Sequence, residues 1–227
     1  MINCVAEHYE NDVFYDSIGM RLWEKRYLWL IDIGCAEGKL IQRLTRSEEY
    51  TQLVAMDIDD EVLEQAKFNL YPETLQDMVK NYREQQLEVS LYQGSILEKY
   101  PLIKEKQLEA CTLIEIIEHL QLEDLDQLNE VVFGYYNFPY IFITTPNKDF
   151  NVYFKYKGEQ MRHWDHKYEF TQNEFKQYCQ NICEKYNYEV QYDGIGEHKH
   201  ENTKNGYCSQ AAIFKRKEVN QLRCYFK

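Results

Sequence analysis

Short apolar runs alternate along this chain with stretches whose apolar positions recur at helical spacing. The run Tyr27–Ile33 (YLWLIDI) predicts a buried strand, and Glu37–Leu44 after it predicts a helix. Leu53–Ile58 (LVAMDI) predicts a second strand, followed by a helix over Glu61–Leu70 and a break at Pro72. Leu87–Tyr92 alternates like a strand, Glu109–Ile114 predicts a fourth, Glu123–Phe133 a helix, and Tyr140–Thr144 (YIFIT) a fifth strand. Thr145–Lys167 is polar and reads as a long loop, a feature that is commonly functional inside a compact domain. Thr171 opens a helix reaching about Tyr186, because Thr-Gln-Asn-Glu is a capping box. Glu189–Tyr192 and Ala211–Lys215 are closing strands with no helix between them, which predicts an antiparallel hairpin at one edge.

Strands alternating with helices predict an α/β fold, a doubly wound and mostly parallel seven-stranded sheet with helices on both faces. No repeat, low-complexity tract or linker divides the pattern, so residues 1–227 read as a single domain.

Composition narrows the reading. A chain of 227 residues is long enough for one sizeable core. With 44% hydrophobic and 28% charged residues it has the make-up of a soluble globular protein. No apolar run is long enough for a membrane span, and the polar, acidic N-terminus does not read as a signal peptide. The seven cysteines are scattered and form no CxxC pair, so they are expected to be reduced thiols in a cytoplasmic or nuclear protein. The formal net charge of −12 argues against an independent tight grip on long nucleic acid. An RNA substrate would be held only by a short end, or be presented by a partner protein.

Two groups of residues carry candidate chemistry. Asp32-Ile33-Gly34-Cys35-Ala36-Glu37-Gly38 ends the first strand and opens a helix. Gly34 and Gly38 allow a sharp turn and close approach to a ligand, with helix N-terminal amides behind them. The pattern lacks the middle glycine of a pyrophosphate-binding loop and suits S-adenosylmethionine, which carries a sulfonium and a carboxylate. Asp57 ends the second strand, where an acid accepts the two ribose hydroxyls of an adenosine. Gly94-Ser95-Ile96 ends the third, the expected place for the adenine; Cys35, Ser95 and Ile96 join Asp32, Gly34, Gly38 and Asp57 as candidate cofactor contacts. The plainer alternative is a glycine turn in some other α/β protein, with Asp57 merely an exposed strand end.

The second group begins with Glu115, Glu118 and His119 after the fourth strand. If a helical turn follows, the three share one face. Adjacent carboxylates repel and call for a cation, and an added imidazole suits magnesium, manganese or cobalt. An acidic, solvated helix start is the alternative. Arg162-His163-Trp164-Asp165-His166-Lys167-Tyr168-Glu169-Phe170 supplies His166 as the candidate fourth ligand, with His163 as its substitute and Asp165 or Glu169 as supporting carboxylates. Thr145, Pro146 and Asn147 end the fifth strand on the same rim; together with Arg162 they are candidate substrate contacts, against a reading as plain turn chemistry.

Together DIGCAEGKL at 32–40, MDID at 56–59, YQGSIL at 92–97, IEIIEHL at 114–120, TTPNKDFN at 144–151 and RHWDHKYEFTQNEF at 162–175 resemble the catalytic domain of the small-RNA 3′-terminal 2′-O-methyltransferases, the Hua enhancer family. The resemblance runs from about Phe14 to Phe214. It implies the class I S-adenosylmethionine-dependent methyltransferase fold. It also implies a divalent metal, magnesium or manganese, held by Glu115, Glu118, His119 and His166, and methylation of the 3′ end of single-stranded small RNA bound to an Argonaute or Piwi protein. The family's Phe-Glu-Trp is replaced here by Tyr168-Glu169-Phe170, which keeps an aromatic on each side. The proton acceptor is left open, with His119 one candidate. Two rival readings are a class I methyltransferase of small molecules or proteins, which leaves the Glu/His set idle, and a catalytically inert binding subunit, which the intact Asp32, Gly34, Gly38 and Asp57 oppose.

Overall fold

A computed structural model describes residues 18, 29–71, 85–154, 161–196 and 205–218. The start of the first predicted strand (27–28) and the break at Pro72 lie outside the described residues, as do Cys4 and Cys224.

Seven strands form one sheet: β1 (Trp29–Ile33), β2 (Gln52–Asp57), β3 (Glu88–Gln93), β4 (Ala110–Ile114), β5 (Tyr140–Pro146), β6 (Tyr188–Ile195) and β7 (Ser209–Arg216). Their spatial order is β3-β2-β1-β4-β5-β7-β6. The first five pair in parallel, while β7 runs antiparallel to both β5 and β6. The predicted closing hairpin therefore forms, but β7 is an interior strand and only β6 is at the edge. Both strands extend beyond their predicted ends.

Alternation along β1 shows how the sheet fills two cores. Leu30 packs with Leu40, Ile41, Leu44 and Leu63, from helices α1 (Lys39–Leu44) and α2 (Asp60–Leu70). Ile31 and Ile33 point to the other face, into a larger core. Its helical members include Ile103 of α3 (Pro101–Glu105), Leu125 and Leu128 of α4 (Leu125–Asn129), and Phe175, Cys179 and Ile182 of α5 (Gln172–Tyr186). Successive strand residues face opposite sides, so both faces of a central strand must be apolar.

Three local elements depart from expectation. The helix predicted over Glu123–Phe133 is a 3₁₀ turn, then α4, then a π-helical stretch Glu130–Tyr136 ending at Asn137 in the left-handed region, φ 53°. Helix α3 was not predicted; its short span with Pro101 in the first turn offers too little periodicity to detect. The presumed loop after Thr144 begins with two further residues of β5 and then a 3₁₀ helix, Lys148–Tyr153, where Asn147 Oδ1 accepts from Asp149 N at 3.0 Å. Helix α5 is capped as expected, with both halves of the Thr171–Glu174 box formed. No helix among the described residues is long and apolar enough to cross a membrane. The five cysteines among the described residues are free thiols.

Candidate active site

The candidate residues gather at the carboxyl ends of β1, β2, β4 and β5, where open α/β sheets bind their ligands. Gly34 and Gly38 both adopt left-handed backbone, φ 73° and 75°. A Cβ on Gly34 would stand 2.1 Å from the Ile116 side chain, so the missing side chain is the space into which the β4 turn locks. Gly34 N and Cys35 N donate to the Met56 carbonyl at 2.7 and 3.1 Å, and Ala36 N donates to Asp57 Oδ2 at 2.9 Å. Asp57 thus closes the glycine loop onto β2; its other oxygen accepts from Asp59 N at 3.1 Å. At the end of β3, Gly94 N donates to the Asp57 carbonyl at 2.8 Å, Ser95 Oγ accepts from Leu97 N, and Ile96 packs on the larger core.

Asp32 is buried and accepts a 2.6 Å hydrogen bond from Thr112 Oγ1. Burial raises its pKa from 3.8 to about 7; the Thr112 bond opposes this and the charge of Asp57 adds to it. The Cys35 thiol is likewise pushed well up by burial, then by Asp32 and Asp57. The glycine loop is a negative environment, suited to a ligand that brings positive charge.

The metal candidates lie on two segments. β4 ends at Ile114, and Glu115 follows in the left-handed region, φ 54°, with its N–H on the Thr144 carbonyl and hydroxyl, each at 3.1 Å. A 3₁₀ turn, Ile117–His119, then carries Glu118 and His119. The expectation that Glu115, Glu118 and His119 share a helical face is thereby corrected: Glu115 precedes the turn, and only the other two are on it.

The segment 161–170 is stitched over that turn. Lys167 N donates to the Glu118 carbonyl at 2.8 Å and Tyr168 Oη to the Ile117 carbonyl at 2.6 Å. His166 is thereby buried beside Glu118 and His119, and one ligand atom from each of these three lies within 4.8 Å of the others. The His119 and His166 rings are 5.0 Å apart and nearly perpendicular. Glu115 falls outside this group, although its carboxylate is close enough to raise the pKa of Glu118. His163 also falls outside it, with its ring 6.3 Å from that of His119.

Each histidine is oriented by a carboxylate through Nδ1: His119 by Asp165 Oδ2 at 3.1 Å, His166 by Glu169 Oε1 at 2.7 Å. Both leave Nε2 as the nitrogen to offer a cation. Burial and then the neighbouring His166 lower the pKa of His119, against the pull of Asp165, which favours the neutral, ligating imidazole. Burial alone would raise Glu169, but bonds from His166, Arg162 N and Asn151 outweigh it and hold its carboxyl below the usual range. Glu118 is fully buried; burial first, then Glu115, push its pKa well up. Its Oε2 accepts from Thr145 Oγ1 at 2.9 Å, and its Oε1 has no hydrogen-bond partner.

The four candidate substrate residues are bound into the scaffold. Thr145 serves Glu118. The Pro146 carbonyl accepts from Gln210 Nε2 at 3.1 Å. Asn147, fully buried, donates from Nδ2 to the carbonyls of Asn205 and Tyr207 at 2.8 and 2.9 Å. Arg162 donates from Nε to Asn151 Oδ1 at 2.5 Å, from Nη2 to the Asn147 carbonyl and from Nη1 to Cys208 Sγ at 3.3 Å, with its guanidinium over the Phe154 ring. The sequence put Thr145, Pro146 and Asn147 on this rim, and gave no sign that their polar atoms and those of Arg162 are committed to the scaffold. Sequence reasoning also missed Thr112, which no motif marks, and Ile116, which lies within IEIIEHL but was given no role there.

A protein named small RNA 2′-O-methyltransferase from Tetrahymena thermophila is 43% identical over 93% of this chain and 54% of its own length. The solved structure of the small RNA methyltransferase HEN1 superposes with a TM-score of 0.77 at 26% identity, over 90% of this chain and 25% of that one. By sequence and by fold, this chain is a homologue of the small RNA 2′-O-methyltransferases. The methyltransferase domain of a bacterial Hen1 is also similar, with a TM-score of 0.70 at 28% identity, over 88% of this chain and 96% of that domain. The fold is that of the class I S-adenosylmethionine-dependent methyltransferases, as the sequence pattern predicts. The chain spans about half the length of the Tetrahymena small RNA 2′-O-methyltransferase. No protein-family model matches it.

Proposed function

We propose that this chain transfers a methyl group from S-adenosylmethionine to the 2′-hydroxyl of the 3′-terminal nucleotide of single-stranded small RNA, with a divalent cation, magnesium or manganese, in the Glu/His site. The observation that carries the reading is Glu118. A fully buried carboxylate with one oxygen lacking a partner is costly, unless something positive occupies that side. The imidazoles of His119 and His166 converge on the same place. This oxygen-and-nitrogen donor set, free of cysteine, suits magnesium or manganese. Glu118, His119 and His166 would hold the ion, with Glu115 beside them as the further carboxylate.

A divalent cation supplies Lewis acidity, lowering the pKa of a ribose hydroxyl that is otherwise a poor nucleophile. The protein supplies position. The bond pair at Glu115 N and the space left by Gly34 hold the β4 turn against the glycine loop, and would hold a hydroxyl bound at the Glu/His site in fixed relation to a cofactor bound at that loop. Asp32 and Asp57 give that loop a negative field, which fits the cofactor's sulfonium and ammonium charges. Asp57 would take the ribose hydroxyls, and Gly34, Cys35, Gly38, Ser95 and Ile96 would line the cofactor's course across β1, β2 and β3. A histidine that holds the ion has its nitrogen lone pair engaged, so His119 does not serve as the proton acceptor.

With a net charge of −12, the body of the RNA is best held by another protein, and an Argonaute or Piwi protein is the partner proposed. The test is methyl transfer from labelled cofactor to two short RNAs, one ending in a 2′,3′-diol and one in a 2′-deoxy nucleotide. Label on the diol RNA alone supports the reading. Equal label on both places the methyl elsewhere and refutes it.

A further inference from the structure

The segment that carries His166 also carries Trp164, at 86% the most exposed large apolar side chain among the described residues. Its position close in sequence to His166 leaves an aromatic face open to solvent, where a ligand could stack. Its neighbours point inward: His166 is buried against Glu169, and Asp165 is turned to His119. Trp164 has one aromatic contact among the described residues, the His163 ring at 5.3 Å, and that ring is 5.5 Å from His166. Three rings thus step from the buried Glu/His site out to solvent.

We infer that Trp164 is the stacking platform for the unpaired base of the RNA's 3′-terminal nucleotide. The inference rests on the function proposed above and adds how the chain grips the end it methylates. Charge is a poor candidate for that grip. The chain is strongly acidic, Lys167 is paired with Asp165 at 3.1 Å, and Arg162 is committed to Asn151, Asn147 and Cys208. Stacking on an aromatic face needs no cation, tolerates any base and works only when the base is released from pairing. A ribose seated by the Glu/His site would carry its base close to this run of rings, which ends at the indole.

The test is steady-state methylation by the wild-type protein and Trp164→Ala, on RNAs whose last nucleotide carries a base or is abasic with its 2′,3′-diol intact. Trp164→Ala should raise KM for the ordinary RNA about tenfold or more. The turnover at saturating RNA should fall far less, and cofactor affinity should not move. The abasic RNA should show the same loss with wild-type protein and little further loss with Trp164→Ala, and Trp164→Phe should recover most of the affinity. An unchanged KM in Trp164→Ala, or losses that multiply between variant and abasic end, would overturn the platform alone and leave the indole to a protein partner. No transfer by wild-type protein to either RNA would overturn the platform together with the function on which it rests.

Discussion

Thr145 Oγ1 donates a 2.9 Å hydrogen bond to Oε2 of Glu118, and both side chains are fully buried. One residue at the end of β5 thereby fixes the carboxylate of the turn after β4, beside His119 and His166. Thr145→Val keeps the shape and removes the donor. Metal affinity, read by manganese titration, should fall on the order of tenfold, in the range typical when the support of a ligand is lost. Thr145→Ser should restore it, and cofactor affinity should be unchanged in both. A direct role of Thr145 on RNA would instead raise KM for RNA at constant metal affinity.

Asp32 trades stability for function. Burial raises its pKa from 3.8 to about 7, so the folded chain binds a proton more readily than the unfolded one. The sign follows: this group's contribution is most favourable at low pH and is lost as pH rises from 3.8 through about 7. Full ionisation costs the folded state on the order of 4 kcal/mol at most. Asp32→Asn, free of cofactor, should therefore melt higher than wild type at about pH 8, with the gap closing as pH is lowered towards about 4. The same variant should bind S-adenosylmethionine more weakly. A lower melting temperature for the variant at the higher pH would contradict the pKa assignment.

Asn147 holds the rim together. Its amide hydrogens go to Asn205 and Tyr207 carbonyls and its oxygen to Asp149 N. Asn147→Ala leaves buried polar groups without partners, at a cost of roughly 2 kcal/mol or more. A fall in melting temperature of about 4 °C or more is expected for a chain of this size. Unaltered stability with a raised KM for RNA would return Asn147 to the substrate.

Much of this was legible in the sequence because it depends on local signals. The glycine loop, the end of β2 at Asp57 and the Thr171 capping box are set by short-range chemistry, and the alternating elements by hydrophobic period. Asp165 and Glu169 read as alternative supports of His166, because they flank it in one short string; the structure gives Glu169 to His166 and Asp165 to His119. What escaped depends on packing between distant segments. Spacing alone put Glu115 on a helix face, but the bond of its N–H to Thr144 draws it into the left-handed region ahead of the turn. Asn147 and Arg162 look like free polar groups until the strands after them are placed, and Ile116 explains Gly34 only once β4 lies beside β1.

The central claim is that the buried Glu/His cluster exists to hold a cation for methyl transfer. The most direct measurement compares wild type with Glu118→Ala for two quantities on the same samples: S-adenosylmethionine binding, and transfer to diol-ended RNA with manganese or with chelator. The account predicts that transfer is lost in the variant, and in the wild type under chelator, while cofactor binding survives in both. Turnover retained by Glu118→Ala, or by wild-type protein stripped of metal, would contradict it.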